Sequence, residues 1–438
     1  MKFLNNKKGM AIIIVLGAIT ILTALLVEFT FNTEINKLMT LKATQRSQAR
    51  LNAESALQLA ILRISIYAEA LNLLGKNEQI KAAVKMEELA EIYSFPFIYP
   101  IPIPKKDLDL PARELISNFE KNMLLEGEMG LSTRSISHLI NINHLRISKN
   151  DPNSSLEVKG TTENKNSFDK KIIELIESKL KAEEESNEDF DLLYGSDTAE
   201  LHMERIKYYI SDENSYDSNY KTSVAVEYKD SLPKYAPLTS LSELYLIPEL
   251  PNAIIKLLSS SLTTFGAKNV DLNTITEEQL FWIFPELDKE ETKKYFSKKN
   301  SKTRPLHFSN IKEFTQLLAS STNALDESSI TKRIEEFKEA NVSFDVNPLL
   351  FEVVSTGKYN DTTINLKAII EIPQEIIPPK ISPLDQATQD CPEGFELNPT
   401  SQGPQEACRE SPKKDKAGNL IPPEINYKSP RVLQVTID

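Results

Sequence analysis

Lys7-Lys8-Gly9-Met10-Ala11-Ile12-Ile13-Ile14-Val15-Leu16 carries the reading of the fold: a basic leader meets a glycine, then an apolar run from Met10 to Val27. A helix needs ~20 apolar residues to cross a bilayer, within a range of roughly 17–25, and this run suffices. No proline precedes Pro96, and only Gly17 interrupts Met10 to Leu74. The helical pattern also continues past the membrane. Ala53, Ala56, Leu57, Ala60, Ile61 and Ile64 recur at i, i+3, i+4, i+7, i+8 and i+11, one apolar face of an amphipathic helix. The spacing predicts one helix from Met10 to Ile66, about 85 Å long at ~1.5 Å per residue.

A signal peptide or simple anchor is the first alternative. Lys2, Lys7 and Lys8 suit either. The run leads into Glu28-Phe29-Thr30-Phe31-Asn32, however, with no small-residue cleavage site. The positive-inside bias puts the N-terminus in the cytoplasm and the chain after about residue 30 beyond the inner membrane. A single-pass inner-membrane protein with a periplasmic head is the expected placement.

The 438 residues are 40% hydrophobic, enough for two or three domains with real cores, and the net charge is −12. That charge argues against a nucleic-acid partner, which calls for a basic patch. Cys391 and Cys408 are the only cysteines. In an oxidising periplasm they are candidates for a disulfide, two free thiols being the other reading. His138, His144, His202 and His307 are scattered without zinc-ligand spacing, and no Gly-x-Ser-x-Gly or Walker loop occurs. Neither an enzyme nor a small-molecule substrate is expected.

Along the chain, Ala82 to Ile92 reads as a short helix, and Pro96, Pro100, Pro102 and Pro104 then break regular structure. Glu126 to Leu145 reads as paired strands, Ile140-Asn141-Ile142-Asn143 showing period-two alternation. A helix is expected over Lys170 to Glu185, and a solvated loop over Glu183 to Glu188. Thr274 or Thr276 can cap a helix opening with Glu277 and Glu278. Phe351 to Gly357 and Thr363 to Ile372 form a hairpin, so the helical block is an insertion within one sheet. Pro373 to about Tyr427 reads as loop, and Val432 to Ile437 as an edge strand.

The leader Lys7-Lys8-Gly9 followed at once by an apolar helix resembles that of type IV pilins and type II secretion pseudopilins. In that family a prepilin peptidase cuts after the glycine, here Gly9, leaving Met10 as the new N-terminus. Most members carry Glu five residues on; here that residue is Ile14. The general secretion pathway protein K family, minor pseudopilins of the tip, lacks that Glu. Further resemblance to it lies in Ile140-Asn141-Ile142-Asn143, in Leu241-Ser242-Glu243-Leu244-Tyr245-Leu246-Ile247-Pro248, and in Asn269-Val270-Asp271-Leu272-Asn273-Thr274 through Leu280.

The resemblance implies an α+β fold: a pilin-like long N-terminal helix packed on an antiparallel sheet, with a large inserted helical, helix-hairpin-helix-like domain. The division expected is a leader over 1–9, an assembly helix over 10–70 and the first part of the head over 71–164. An inserted helical domain over 165–340, resumed strands over 341–372 and a Pro-rich tail over 373–438 follow. The function implied is non-enzymatic: initiating a short periplasmic filament that supports export across the outer membrane. Implied partners are the other minor pseudopilins, the major pseudopilin, the inner membrane and the peptidase. The face Ala53, Leu57, Ala60, Ile64 is assigned to partner contact, with Ile14 also in assembly.

Asp212, Glu213, Asn214 and Asp217 offer oxygens on one loop, the chemistry a hard cation such as Ca²⁺ requires, and the family associates this region with Ca²⁺. An Asx-rich turn is the other reading. Two further functions stay open: a minor pilin of a type IV pilus, and a membrane-anchored DNA receptor. The second would use Leu241–Leu258 and Thr274–Phe284, which are similar to helix-hairpin-helix modules. There a glycine-rich hairpin lets amides reach phosphate. The hairpin here, Ile247-Pro248-Glu249-Leu250-Pro251, lacks glycine and adds a carboxylate, which disfavours it.

Overall fold

The computed structural model describes residues 7–77, 84–102, 109–123, 125–148, 167–216, 232–266, 269–300, 306–340, 342–377, 395–397, 408–410 and 424–437. Its first element, α1 (Lys7–Lys76), is one unbroken helix of 70 residues, about 105 Å long at ~1.5 Å per residue. It is longer than the apolar spacing predicts, because its last turns also bury Tyr67, Ala68, Leu71 and Leu74. After it come α2 (Met86–Ser94), β1 (Phe97–Tyr99), α3 (Leu110–Asn122), β2 (Glu128–Ser135) and the short β3 (Ile140–Asn141).

A helical lobe follows: α4 (Ser167–Glu184), α5 (Glu188–Tyr194), α6 (Ala199–Ile210), α7 (Asn252–Ser259), β4 (Leu262–Thr263), β5 (Asn269–Asp271), α8 (Glu277–Ile283), α9 (Lys289–Lys299), α10 (Ile311–Ala319), α11 (Glu327–Glu339) and β6 (Ser343–Asp345). The chain then resumes its strands with β7 (Leu350–Tyr359), β8 (Thr362–Glu371) and β9 (Gln374–Ile377). β10 (Phe395–Leu397), β11 (Cys408–Glu410), β12 (Glu424–Tyr427) and β13 (Arg431–Ile437) complete it. Five strands make one sheet in the order β1-β2-β7-β8-β13, antiparallel throughout. The lobe therefore interrupts a single sheet, between β2 and β7, as the returning hairpin implies. The β7–β8 turn holds Asn360 at φ 50, a left-handed position that Asn tolerates well. β13 takes the expected edge.

The second half of α1 lies on this sheet. Ala49, Ala53, Ala56, Ala60 and Ile64 are all fully buried. Small residues let the helix backbone approach the strands closely, and Gly357 completes the fit. A Cβ there would stand 2.0 Å from Ala49 O and 2.4 Å from Ala53 N. Asn52 fastens the same turn: its Nδ2 donates to Glu126 O at 2.8 Å and Lys358 O at 3.2 Å. Higher up, Tyr67, Tyr93 and Phe351 stack edge to face with centroids 4.9–6.0 Å apart.

This packing corrects the assignment of Ala53, Leu57, Ala60 and Ile64 to partners. All four are buried by the chain's own sheet, so that face is already occupied. Amphipathic spacing shows that a face is covered and not by what.

Three local readings also change. Ile140 to Asn143 is no antiparallel strand: two residues pair in parallel with β4, and Ile142 to Leu145 turns into a 3-10 helix. The acidic run 183–188 contains the end of α4 and, after a short turn, the start of α5, whose Phe190 is buried. The segment read as loop from Pro373 holds β9, paired with β12 from Gln374↔Tyr427 to Ile377↔Glu424.

Candidate functional site

The first half of α1 is the least covered part of the molecule. Every residue from Ile12 to Thr44 is exposed except the half-covered Ile35, and the first buried side chain is Gln45. Its most apolar window has a mean hydropathy of 2.6 and is 0% buried, so it is long and apolar enough to cross a membrane. Thr20, Thr23, Thr30, Thr33, Thr40 and Thr44 each donate their hydroxyl to the carbonyl four residues back. That satisfies groups which hydrocarbon would leave unpaired. Gly9 and Met10 lie in the first turns of this helix, and Ile14 is 65% exposed on it.

The acidic loop is described as far as Tyr216. Asp212 pairs with Arg146, whose Nε also donates to Ile210 O at 3.0 Å. Backbone bonds tie the same loop to Ile147. Glu213 and Asn214 lie in the 3-10 turn Glu213–Ser215, and Glu213 is exposed. Asp217 lies outside the described residues. Among the described residues, no three His, Cys, Asp or Glu side chains come together to hold a metal ion. Cys391 also lies outside them, and Cys408 sits in β11.

Inside the lobe two sequence stretches prove to be one device used twice. In the first copy, Asn143 Nδ2 donates to Leu238 O at 2.9 Å and Thr264 O at 3.0 Å, while its Oδ1 accepts from Leu238 N–H at 2.7 Å. In the second, Asn273 Nδ2 donates to Phe308 O at 3.0 Å and Val346 O at 2.8 Å, and its Oδ1 accepts from Phe308 N–H at 2.7 Å. The residue two before each Asn accepts its N–H, Asn141 at 3.0 Å and Asp271 at 2.9 Å.

Each Asn thus clamps three chain segments: a short strand, a following helix entry and a parallel partner strand. β3 pairs with β4, and β5 with β6, in matching register. The helix entries match too. Glu243 accepts from Thr239 N–H at 2.9 Å, and Glu313 from Ser309 N–H at 2.8 Å.

The sequence shows this duplication, Ile140-Asn141-Ile142-Asn143 beside Val270-Asp271-Leu272-Asn273, and Leu238-Thr239-Ser240-Leu241-Ser242-Glu243-Leu244 beside Phe308-Ser309-Asn310-Ile311-Lys312-Glu313-Phe314. The signal is a repeat without a fixed period; reading each stretch separately misses it.

One core of apolar side chains runs through both copies. Trp282 donates to Lys171 O at 3.0 Å and stacks on Phe337 at 5.1 Å. The first hairpin, Ile247 to Pro251, places Glu249 at φ 58, the kind of position glycine fills without strain. Thr276, not Thr274, caps α8, in a capping box with Gln279. Thr274 donates instead to Asp271 Oδ2 at 2.8 Å.

Where the lobe joins the sheet there is a cavity of about 330 Å³, lined by Ser137, Asp271, Asp345, Asn347, Leu350, Glu371 and Arg431 among others. Ser137 holds the seam: its Oγ accepts from Leu349 and Leu350 N–H at 2.8 Å, and its carbonyl accepts from Asp271 N–H at 3.2 Å. Asp271 is 1% exposed. Burial pushes its carboxyl up to about 7, against hydrogen bonds from Thr274 and Asn273 and the charge of Lys299. Asp345 is raised as well, chiefly by burial. Lys299 is lowered to about 8 by burial, with Asp271 opposing.

No protein-family profile matches the chain, and no curated protein sequence matches it. Among solved structures it is similar to a chain of "The Crystal Structure of the GspK-GspI-GspJ complex from enterotoxigenic Escherichia coli Type 2 Secretion System". The identity is 15% and the TM-score 0.41, with 74% of this chain and 94% of that chain covered.

Proposed function

We propose that this chain is a minor pseudopilin of a type II secretion system, anchored in the inner membrane by α1, with its head in the periplasm. The observation that carries the reading is the division of α1. Residues 12–44 stand clear of the head with their apolar side chains exposed, while Gln45 to Leu74 are locked onto the sheet. A helix built this way moves as one piece with its head. When the exposed half leaves the bilayer, its apolar surface requires a new cover, and like helices of neighbouring subunits supply it. The leader Lys7-Lys8-Gly9 supports processing to Met10, and Ile14 in place of a carboxylate supports a position at the tip, with no subunit above.

Partners then meet the exposed face of the projecting segment, through Ile12, Ile13, Leu16 and their neighbours, in place of Ala53, Leu57, Ala60 and Ile64. Ca²⁺ at the 212–217 loop and a Cys391–Cys408 bridge in the periplasm belong to the same proposal. The test is N-terminal mass analysis of the full chain made with and without a prepilin peptidase. A new N-terminus at Met10 that depends on the peptidase is expected. A chain left uncut under both conditions returns the helix to a plain signal anchor.

A further inference from the structure

The two clamps of the lobe differ in charge at one facing pair of their parallel strands. In the first, Asn141 stands opposite Thr263; in the second, Asp271 stands opposite Asp345. One hydrogen bond is nonetheless common to all four positions. Asn141 and Asp271 each accept from the N–H two residues on, and Thr263 and Asp345 do likewise at 3.2 Å from Phe265 and Asn347. Neutral side chains therefore serve this architecture fully, and the ionisable pair is an addition in the second copy alone. It sits at the seam between lobe and sheet, against a cavity also lined by Glu371 and Arg431, themselves paired at 2.5 Å.

We propose that this seam is a proton-operated latch: with a proton held by the Asp271–Asp345 pair the lobe is fast to the sheet, and its loss sets a buried and a half-buried carboxylate against each other and loosens the neck.

The other groups facing Asp271 do not cancel that repulsion. Lys299, from α9, donates its ammonium to Leu272 O at 3.2 Å, and its charge lowers the Asp271 carboxyl by less than burial raises it. Tyr67 of α1 and Tyr93 of α2 are buried phenols that stay neutral, their own ionisation pushed well up by burial. His138, before β3, is pushed down to about 4 by burial and by Arg134 and Lys299, so it too is neutral at working pH. Thr274 and Asn273 donate to Asp271 in either state.

The sign follows from linkage. A carboxyl raised in the closed neck binds its proton more tightly than when opened, so closure is favoured at low pH. The advantage is lost as pH rises from the ordinary carboxylate range, about 4, to about 7, and is constant above.

Hydrogen exchange of the full chain in detergent micelles, corrected for intrinsic rates, tests this at pH 5 to 8. Protection at Asp271, Leu272 and Leu349 is expected to fall about tenfold per pH unit between pH 5 and 7 and then level off. Two amides of the first clamp, Asn143 and Leu238, serve as the internal control and stay flat. Asp271→Asn/Asp345→Asn should flatten the second clamp as well. Equal pH dependence in both clamps, or dependence that survives Asp271→Asn/Asp345→Asn, overturns the latch. Should that double variant not fold, the converse variant Asn141→Asp/Thr263→Asp decides: it should carry the pH dependence into the first clamp, and a flat response there overturns the proposal.

Discussion

Asn143 and Asn273 perform one task in two settings, and the contrast separates what the fold requires from what it tolerates. Each side chain makes three hydrogen bonds to backbone of distant segments. Neither could be replaced by a side chain with only donors or only acceptors. The neighbouring positions are free by comparison, since Asn, Asp and Thr all fill them with the same geometry. The amide at the centre is a folding constraint, and the charge beside it is a variable.

The largest effect should come from removing the amides. Asn143→Ala and Asn273→Ala each leave two carbonyls and an N–H in a part-buried site without partners. Orphaned groups of that kind cost about 1–3 kcal/mol apiece; at the low end, which suits a part-buried site, three of them make each variant lose about 3 kcal/mol in denaturant unfolding. Equal losses would confirm that the copies are equivalent. A loss confined to one would mean that the other is held by its apolar surroundings alone.

How much of this was legible depends on whether the information is local. The exposed apolar run of α1, its later periodicity, the helix α4 and the β7–β8 hairpin all follow from nearest-neighbour patterns, and they appear in the structure. Thr274 and Thr276 are equally good caps in sequence, and only the hydrogen bond of Thr274 to Asp271 leaves the cap to Thr276. Ala53, Leu57, Ala60 and Ile64 show the converse. Their spacing marks a packed face, but Gly357, some three hundred positions away, determines that the chain's own sheet packs there. Ile140 to Asn143 looked like a strand because alternation is shared by strands and by clamps whose Asn residues turn toward loops. The pairing of Asp212 with Arg146 is likewise not local, since the two lie on different segments of the lobe.

A smaller difference is expected at the helix entries. Glu243 and Glu313 accept from matching Thr/Ser N–H groups, but among the described residues only Glu243 also pairs with a lysine, Lys234, at 2.5 Å. Burial would raise Glu243, yet the hydrogen bonds from Lys234 and Thr239 outweigh it and hold the carboxyl down to about 2. Its contribution is therefore present above the ordinary Glu range, about 4.3, and is lost as pH falls toward about 2. At pH 7, Glu243→Gln should cost about 1–2 kcal/mol, since hydrogen bonds to charged groups are worth roughly 1.5–3 kcal/mol. Glu313→Gln should cost about half as much. Acid unfolding curves check the assignment: the gap between wild type and Glu243→Gln should close between pH 4 and 2.

The smallest effect separates the linkers that join the last two helical turns of each copy. The first bends through Glu249 at φ 58, with its carbonyl accepting from Arg205 at 2.6 Å. The second, Ser320 to Asp326, has no left-handed residue among the described ones. A left-handed conformation costs an L side chain about 1–2 kcal/mol, and the extra chain entropy of glycine takes back roughly 0.5–1 kcal/mol. Glu249→Gly should thus stabilise the lobe by a few tenths to about 1 kcal/mol while keeping the Arg205 contact, which is to backbone. Asn323→Gly in the second linker gains no relief of strain and should destabilise by about 0.5–1 kcal/mol. Opposite signs in paired thermal melts would show that the two linkers close their copies by different backbone routes. The same sign would mean that the strain at Glu249 is relieved by its surroundings, so that the copies differ only in their acids.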